Sequence, residues 1–110
     1  MVNFNFEYNK KKISLDAIEC KTFFAKASGL MFRNKSKPLL FVFKNSCMEA
    51  IHSFFCVPFI VIWFNEGKII DYKFVKTWKP YILPKKSFDK FLEIPINSVD
   101  FPRIKNILGL

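Results

Sequence analysis

The sequence predicts a mainly β domain, either a compact antiparallel barrel or a jelly-roll-like sandwich, with one short helix. Two observations carry this prediction. Short apolar or alternating segments follow one another along the chain, separated by polar or proline-containing turns. Only one segment, in contrast, is predicted to form a helix. The 110 residues suffice for a single domain spanning 1–110, and no Gly/Ser-rich or Pro-rich linker divides them.

The predicted strands differ in their hydrophobic pattern. The first alternates, so that Phe4, Phe6 and Tyr8 share one face, which is typical of a half-buried strand. Residues 39–43 and 59–64 are instead continuous apolar runs, and their short length and aromatic content favour buried strands over helices. Gly67 suits the positive φ of a hairpin turn at 65–68. The predicted strands, in order, span 3–8, 13–18, 39–43, 49–56, 59–64 and 68–78.

The predicted helix spans 22–28 and would plug one end of the barrel or cover one edge. Thr22 can cap its first turn, and Gly29 suits the left-handed residue that ends many helices. Beyond Lys79 the chain carries four of its six prolines, and only short strands such as 91–94 are expected there.

The chain is strongly basic, with 18 Lys and Arg residues against 9 Asp and Glu residues and a formal net charge of +9. Such an excess attracts polyanions, which include nucleic acid, anionic membranes and acidic proteins. The composition has a second interpretation, because a genome biased toward A and T yields Lys, Phe, Ile and Asn without selection for binding. Lysine also keeps apolar strands soluble.

The segments that would indicate another compartment or a membrane are missing from the sequence. The N-terminus alternates and then turns basic, which is the reverse of a signal peptide. The longest apolar run, 54–64, is about half of the roughly 20 residues that a membrane helix needs. The chain has an odd number of cysteines, Cys20, Cys47 and Cys56, and none of them has C-x-x-C spacing. This favours reduced, buried thiols. We therefore expect a cytoplasmic protein without a membrane partner.

No pattern in the sequence predicts catalysis, a cofactor or a metal site. His52 is the only histidine, and Cys56 lies about 13 Å from it if the intervening strand is extended. The carboxylates are isolated from one another, and both glycine-rich phosphate-binding motifs are absent. We therefore predict a protein that is not an enzyme, with His52 in a structural role.

The best candidate for binding is the segment 71–86, in which lysines alternate with aromatic residues. Ammonium groups can neutralise phosphates while aromatic rings stack on bases, which is the combination that single-stranded nucleic acid requires. The alternative is that these aromatics belong to the core. A second basic group lies near the middle of the chain, and Lys10–Lys12 form a third. The predicted nucleic-acid-binding residues are Arg33, Lys35, Lys37, Lys73, Lys76, Trp78, Lys79, Lys85 and Lys86.

Several segments resemble one uncharacterised family. The sequence GLMFR at 29–33 is followed by LLFVF, then by IHSFF at 51–55, TWKPY at 77–81 and LEIP at 92–95. This order resembles the widespread family numbered 192 among the domains of unknown function, and its archaeal members in particular. The resemblance spans roughly 20–99. It implies a small barrel or jelly-roll-like domain whose single helix is closed by GLMFR, and it implies no established activity.

Two positions depart from that family's pattern. The strand after Pro58 usually carries an Asp where this chain has Ile60, so a ligand or metal site that used the carboxylate would be lost. The C-terminal segment also lacks a Gly-Asp pair near its end. The leading functional prediction is a binding module for RNA or a ribonucleoprotein such as the ribosome. The alternatives are a small-ligand binder with a pocket near His52 and Trp78, and an enzyme of unknown type.

Overall fold

The computed structural model describes residues 2–20, 37–51, 53 and 57–110. The strands of this part of the chain form one sheet in the order β1-β2-β3-β6-β4-β5. The prediction of a mainly β fold is confirmed, and the sheet has the shape of a curled half-barrel. The elements are β1 (Val2–Tyr8), β2 (Lys11–Cys20), β3 (Leu39–Cys47), β4 (Phe59–Asn65), β5 (Lys68–Val75), β6 (Phe88–Pro95) and α1 (Phe101–Leu108).

One strand pair departs from the expected antiparallel arrangement. β2 and β3 run parallel, with Ile18 opposite Leu39 and Cys20 opposite Phe41, whereas the other neighbours in the sheet are antiparallel. The prediction of a wholly antiparallel sheet is wrong at this pair. Parallel strands need a crossover of about a dozen residues or more, and the long connection between β2 and β3 provides that length.

The sheet curls toward the face that carries Phe6 and Phe64. Three strands separate β1 from β4 in the sheet, yet the rings of Phe4 and Phe6 lie 5.2 and 5.4 Å from the ring of Phe64. We call this interior the concave core, and α1 packs into it through Ile104 and Leu108. Its buried residues are Phe6, Ile13, Leu15, Ala17, Leu40, Ile60, Ile62, Phe64, Leu92, Ile94, Ile104 and Leu108.

The opposite face of the sheet carries a second apolar layer, which we call the convex core. β4 contributes to both layers, which explains why its sequence is a continuous apolar run instead of an alternating one. All six residues from Phe59 to Phe64 are buried. The buried residues of the convex core are Cys20, Leu39, Phe41, Phe59, Val61, Trp63, Val75, Ile82, Phe88 and Phe91.

The helix of the described residues lies at the C-terminus, where only short strands were expected. Pro102 occupies the first turn of α1, and Gly109 ends it with a φ of 70° and donates its N–H to the carbonyl of Asn106. These are ordinary start and stop signals, but the helix has only two turns and its apolar stripe is too short for a clear period. The helix predicted at 22–28 lies outside the described residues.

Two predicted strands end earlier or break up in the structure. β5 ends at Val75, and the residues up to Trp78 form a turn. In the segment 49–56, Ile51 forms an isolated bridge with Ile82, and Ser53 is irregular. The turn at 65–68 is confirmed, because Gly67 has a φ of 79°.

Among the described residues, no helix is long and apolar enough to cross a membrane. Cys20 is buried and Cys47 is partly buried, and neither takes part in a disulfide bond. Cys56 lies outside the described residues.

Candidate nucleic-acid interface

The residues after β5 form an exposed turn that carries two aromatic side chains and two lysines. Trp78 is 57% exposed and Tyr81 is 70% exposed, and both Lys76 and Lys79 are exposed as well. We call residues 76–81 the Trp78 turn. It contains three of the predicted nucleic-acid-binding residues on one short stretch of chain.

A buried serine holds the Trp78 turn in place. Ser53 has no exposed surface, and its hydroxyl donates to the carbonyl of Lys76 at 2.6 Å and accepts the backbone N–H of Lys79 at 2.7 Å. The Ser53 backbone also donates to the Lys79 carbonyl at 2.9 Å and accepts the Trp78 N–H at 3.1 Å. Four hydrogen bonds to Ser53 therefore fix the backbone on both sides of Trp78.

Trp78 adopts a conformation that bulky residues rarely occupy. Its φ is 64°, in the left-handed region where an L side chain crowds its own carbonyl. The bonds to Ser53 make this conformation favourable in the folded chain. A strained backbone conformation persists only where the surrounding structure holds it in place. The fold therefore sets the backbone conformation from which the indole projects at the surface.

We expect Ser53→Ala to destabilise the protein by about 1–3 kcal/mol, because the substitution removes a buried hydroxyl that makes two hydrogen bonds. Denaturant unfolding measures the loss, and limited trypsin digestion should cut faster after Lys76. The control is Ser46→Ala, which removes an exposed hydroxyl bonded to Asn65. Equal stability of the two variants would show that Ser53 does not hold the turn.

Lys73, which was predicted to bind nucleic acid, is engaged within the protein. Its ammonium donates to the Leu83 carbonyl at 2.7 Å and lies 5.7 Å from the centre of the Trp63 ring. Side chains alternate between the two faces of the sheet from Tyr72 to Val75, and the alternation ends there because β5 ends. Lys73 therefore helps to attach the segment after the Trp78 turn to β5.

Lys85 and Lys86 lie where the chain returns along β5. The backbone N–H of Lys85 donates to Oδ2 of Asp71 at 3.1 Å, which places Lys85 beside the first half of β5, and both lysine side chains are exposed. With the Lys73–Leu83 bond, this contact shows that residues 83–85 follow β5 from its middle toward its beginning.

The remaining predicted basic residues are divided between another surface and the part of the chain that is not described. Lys37 is exposed and lines a groove of about 660 Å³ beside Asp16, Asp100 and Arg103. Arg103 donates to Asp100 at 3.1 Å, so this groove is mixed in charge. Arg33 and Lys35 lie outside the described residues.

Lys10 and Lys68 are not among the predicted nucleic-acid-binding residues, yet they line one groove together with Lys85. The groove has a volume of about 630 Å³ and lies where the edge strands β1 and β5 approach each other. We call it the seam groove. Only the fold brings these segments together, and no periodicity in the sequence signals it. Its lining comprises Glu7, Tyr8, Asn9, Lys10, Gly67, Lys68, Ile69, Ile70, Asp71, Tyr72 and Lys85.

The predicted small-ligand pocket near His52 and Trp78 stays a prediction. His52 lies outside the described residues, and Trp78 lines neither the seam groove nor the groove at Lys37. Among the residues that the structure describes, no group of three or more His, Cys, Asp or Glu side chains is arranged to hold a metal ion.

Two buried polar groups in the convex core were not anticipated. Glu93 on β6 is 5% exposed and lies in register between Leu39 and Val61. Loss of hydration on burial raises the pKa of its carboxyl to about 8, so the group is protonated at neutral pH. On the neighbouring strand, Nε1 of Trp63 is buried and has no hydrogen-bond partner among the residues that the structure describes.

Comparison with solved structures shows the same fold in two bacterial proteins. A protein of unknown function from Novosphingobium aromaticivorans DSM 12444 superposes with a TM-score of 0.78 at 17% identity, covering 99% of this chain and 79% of that one. A candidate transcription regulator from Sinorhizobium meliloti 1021 gives a TM-score of 0.77 at 16% identity, covering 96% and 83%. At these identities the likeness shows a shared fold alone.

Comparison by sequence adds no relative. No protein-family model matches the chain. No curated protein matches it significantly. The resemblance to family 192 of the domains of unknown function therefore stays a prediction.

Proposed function

We propose that this protein is a cytoplasmic, non-catalytic module that binds RNA or a ribonucleoprotein such as the ribosome through the Trp78 turn. The observation that carries the proposal is the half-exposed indole of Trp78, held in a left-handed backbone conformation beside two exposed lysines. An exposed flat ring with two lysines close to it in the chain is suited to a nucleobase and the phosphates beside it.

The conformation of Trp78 supports a binding role more strongly than its exposure alone does. A single exposed aromatic residue is ordinary on protein surfaces. A left-handed conformation at a bulky residue costs about 1–2 kcal/mol, and a buried serine is used to maintain it. The turn is thus preorganised, and a base that stacks on Trp78 loses less free energy to ordering of the protein.

The lysines of the turn supply the electrostatic part of the interaction. Lys76 and Lys79 form no ion pair with any carboxylate of the described residues, so their ammonium groups can neutralise phosphates. Tyr81 offers a second exposed ring three residues after Trp78. Lys85 and Lys86 extend the cationic track along β5. Four phosphate contacts predict a log–log slope of affinity against salt of about −3 for a single strand.

We expect Trp78→Gly to separate binding from folding. Glycine accepts the left-handed conformation, so the free energy of unfolding should stay within about 1 kcal/mol of the parent value. The lost stack should weaken binding of a labelled oligouridylate by about 5- to 150-fold, which corresponds to about 1–3 kcal/mol. Fluorescence anisotropy at several salt concentrations and denaturant unfolding provide the two measurements.

The matched control is Trp78→Phe, which keeps an aromatic face and should retain most of the affinity. A Trp78→Gly protein that binds as tightly as the parent would exclude stacking on Trp78. A parent protein whose affinity for RNA is independent of salt would contradict the role of the lysines, because phosphate contacts release counterions.

A further inference from the structure

The two edge strands of the half-barrel meet through a pair of tyrosines. The hydroxyls of Tyr8 on β1 and Tyr72 on β5 lie 2.9 Å apart, and their rings meet edge to face with centroids 5.7 Å apart. Within the described strands, β1 pairs only with β2, and β5 pairs only with β4. The tyrosine pair therefore bridges the open side of the sheet and forms part of the seam groove.

Two tight turns border the seam groove and fix the backbone positions of two of its lysines, Lys10 and Lys68. Asn9 and Lys10 have φ values of 48° and 65°, and Glu66 and Gly67 have values of 52° and 79°. Two consecutive left-handed residues between paired strands define the tightest class of hairpin turn, whose twist matches that of the strands. Lys10 and Lys68 therefore leave the backbone at well-defined positions at the ends of two hairpins.

Charge in the seam groove is positive on balance. Lys10, Lys68 and Lys85 are exposed, and none of them forms an ion pair with a carboxylate in the described part of the chain. The opposing carboxylates are Glu7 and Asp71. Asp71 accepts backbone N–H groups from Tyr72 at 2.8 Å and from Lys85 at 3.1 Å, so its oxygens are occupied by the protein itself.

The tyrosine pair adds a hydrogen-bond donor to these cations. When two hydroxyls share one hydrogen bond, one of them donates and the other keeps its proton for a further acceptor. The seam groove thus offers three ammonium groups and one hydroxyl proton. Phosphate oxygens accept hydrogen bonds and carry negative charge, and they match this set.

We propose that the seam groove binds phosphates of the same RNA strand whose base stacks on Trp78. The proposal rests on the function proposed above and extends it by naming a second contact on the strand. Residues 83–85 connect the two places, since they leave the Trp78 turn and follow β5 to Asp71. The stretch of β5 from Val75 to Asp71 spans about 13 Å, a length that a few nucleotides can cover.

The test compares short and long RNA on a variant with two groove lysines neutralised, Lys10→Gln with Lys68→Gln, neither of which belongs to the Trp78 turn or its cationic track. An oligouridylate of about ten nucleotides reaches both places, and we expect it to bind roughly 10- to 100-fold more weakly at about 50 mM salt. The magnitude of its salt slope should fall by about 1.4, because two phosphate contacts are lost. A uridine dinucleotide is too short to reach both places, so it occupies the Trp78 turn alone and should bind as before.

The control is Lys105→Gln, which removes one exposed lysine of α1 that lines neither groove. Its effect on the salt slope for the long RNA should be less than half that of the double variant. Unchanged binding of the long RNA by the double variant overturns the seam groove as a phosphate site and leaves the function of the Trp78 turn intact.

A parent protein that binds neither RNA overturns the proposed function, and the seam groove is then tested by titration with inorganic phosphate. Movement of the NMR amide signals of Gly67 and Lys68, absent in the double variant, supports a phosphate site there. The absence of any movement in the parent protein overturns it.

Discussion

The free energy of unfolding is expected to fall by about 1.4 kcal/mol for each pH unit through the range from about 5 to 8, because of Glu93. Its carboxyl keeps its proton in the folded protein up to a pKa of about 8, whereas the unfolded chain releases that proton near 4.5. Between these values the folded state binds more protons than the unfolded state, so rising pH favours unfolding.

The variant Glu93→Gln isolates this contribution, because an amide of similar shape does not ionise. We expect the variant and the parent to have similar stability near pH 5 and to diverge as pH rises. At about pH 8 the variant should be more stable by on the order of 3–5 kcal/mol, the order given by a shift from 4.5 to about 8. Urea unfolding at a series of pH values provides the measurement.

The charged neighbours of Glu93 do not change the sign of this effect. Its register partners are Leu39 and Val61, both apolar. Lys73 lies two strands away, and its backbone is about 10 Å from that of Glu93 across the sheet. The control is Glu49→Gln, which removes an exposed carboxyl and should leave the pH profile parallel to that of the parent. Parallel profiles for Glu93→Gln would show that its carboxyl is ionised or hydrated in the folded state.

We expect Phe64→Ala to cost about 3–5 kcal/mol, because it removes a fully buried aromatic side chain and leaves a cavity. Phe64 is also the residue of β4 that meets Phe4 and Phe6 of β1 across the concave core. Loss of these contacts removes part of the force that curls the sheet. Guanidinium unfolding gives the stability change, and hydrogen exchange of the β1 amides should rise more than that of β6.

The control for this variant is Phe74→Ala, which changes the same residue type at a position that is 42% exposed. Phe74 packs edge to face on Phe101 at 6.1 Å, so we expect a smaller loss, on the order of 1 kcal/mol. Equal losses for the two variants would show that the curl of the sheet does not depend on Phe64.

The strands with clear patterns were predictable because their patterns reflect local physics. Alternation along β1 and the continuous apolar run of β4 follow directly from burial on one face or on two. The helix α1 carried the signals of Pro102 and Gly109, but two turns give too few apolar positions to distinguish a helix from an irregular segment. Local signals are therefore informative only where they extend over enough residues.

The candidate interface was predictable in part. Trp78, Lys76 and Lys79 are adjacent in the sequence, and the structure keeps them together on one exposed turn. No sequence pattern connects that turn with Ser53, which is more than 20 residues away and whose hydroxyl bonds to it only in the folded chain.

The sequence by itself determined the mainly β class, the position of most strands and the positive charge, because each depends on residue type and short-range spacing. The tertiary structure alone decided which charges share a surface and which polar group is buried. Lys10, Lys68 and Lys85 lie far apart in the chain and meet because β1 and β5 close the seam. Glu93 looks like any other charged residue of a strand, and its pKa is raised because β3 and β4 cover it on both sides.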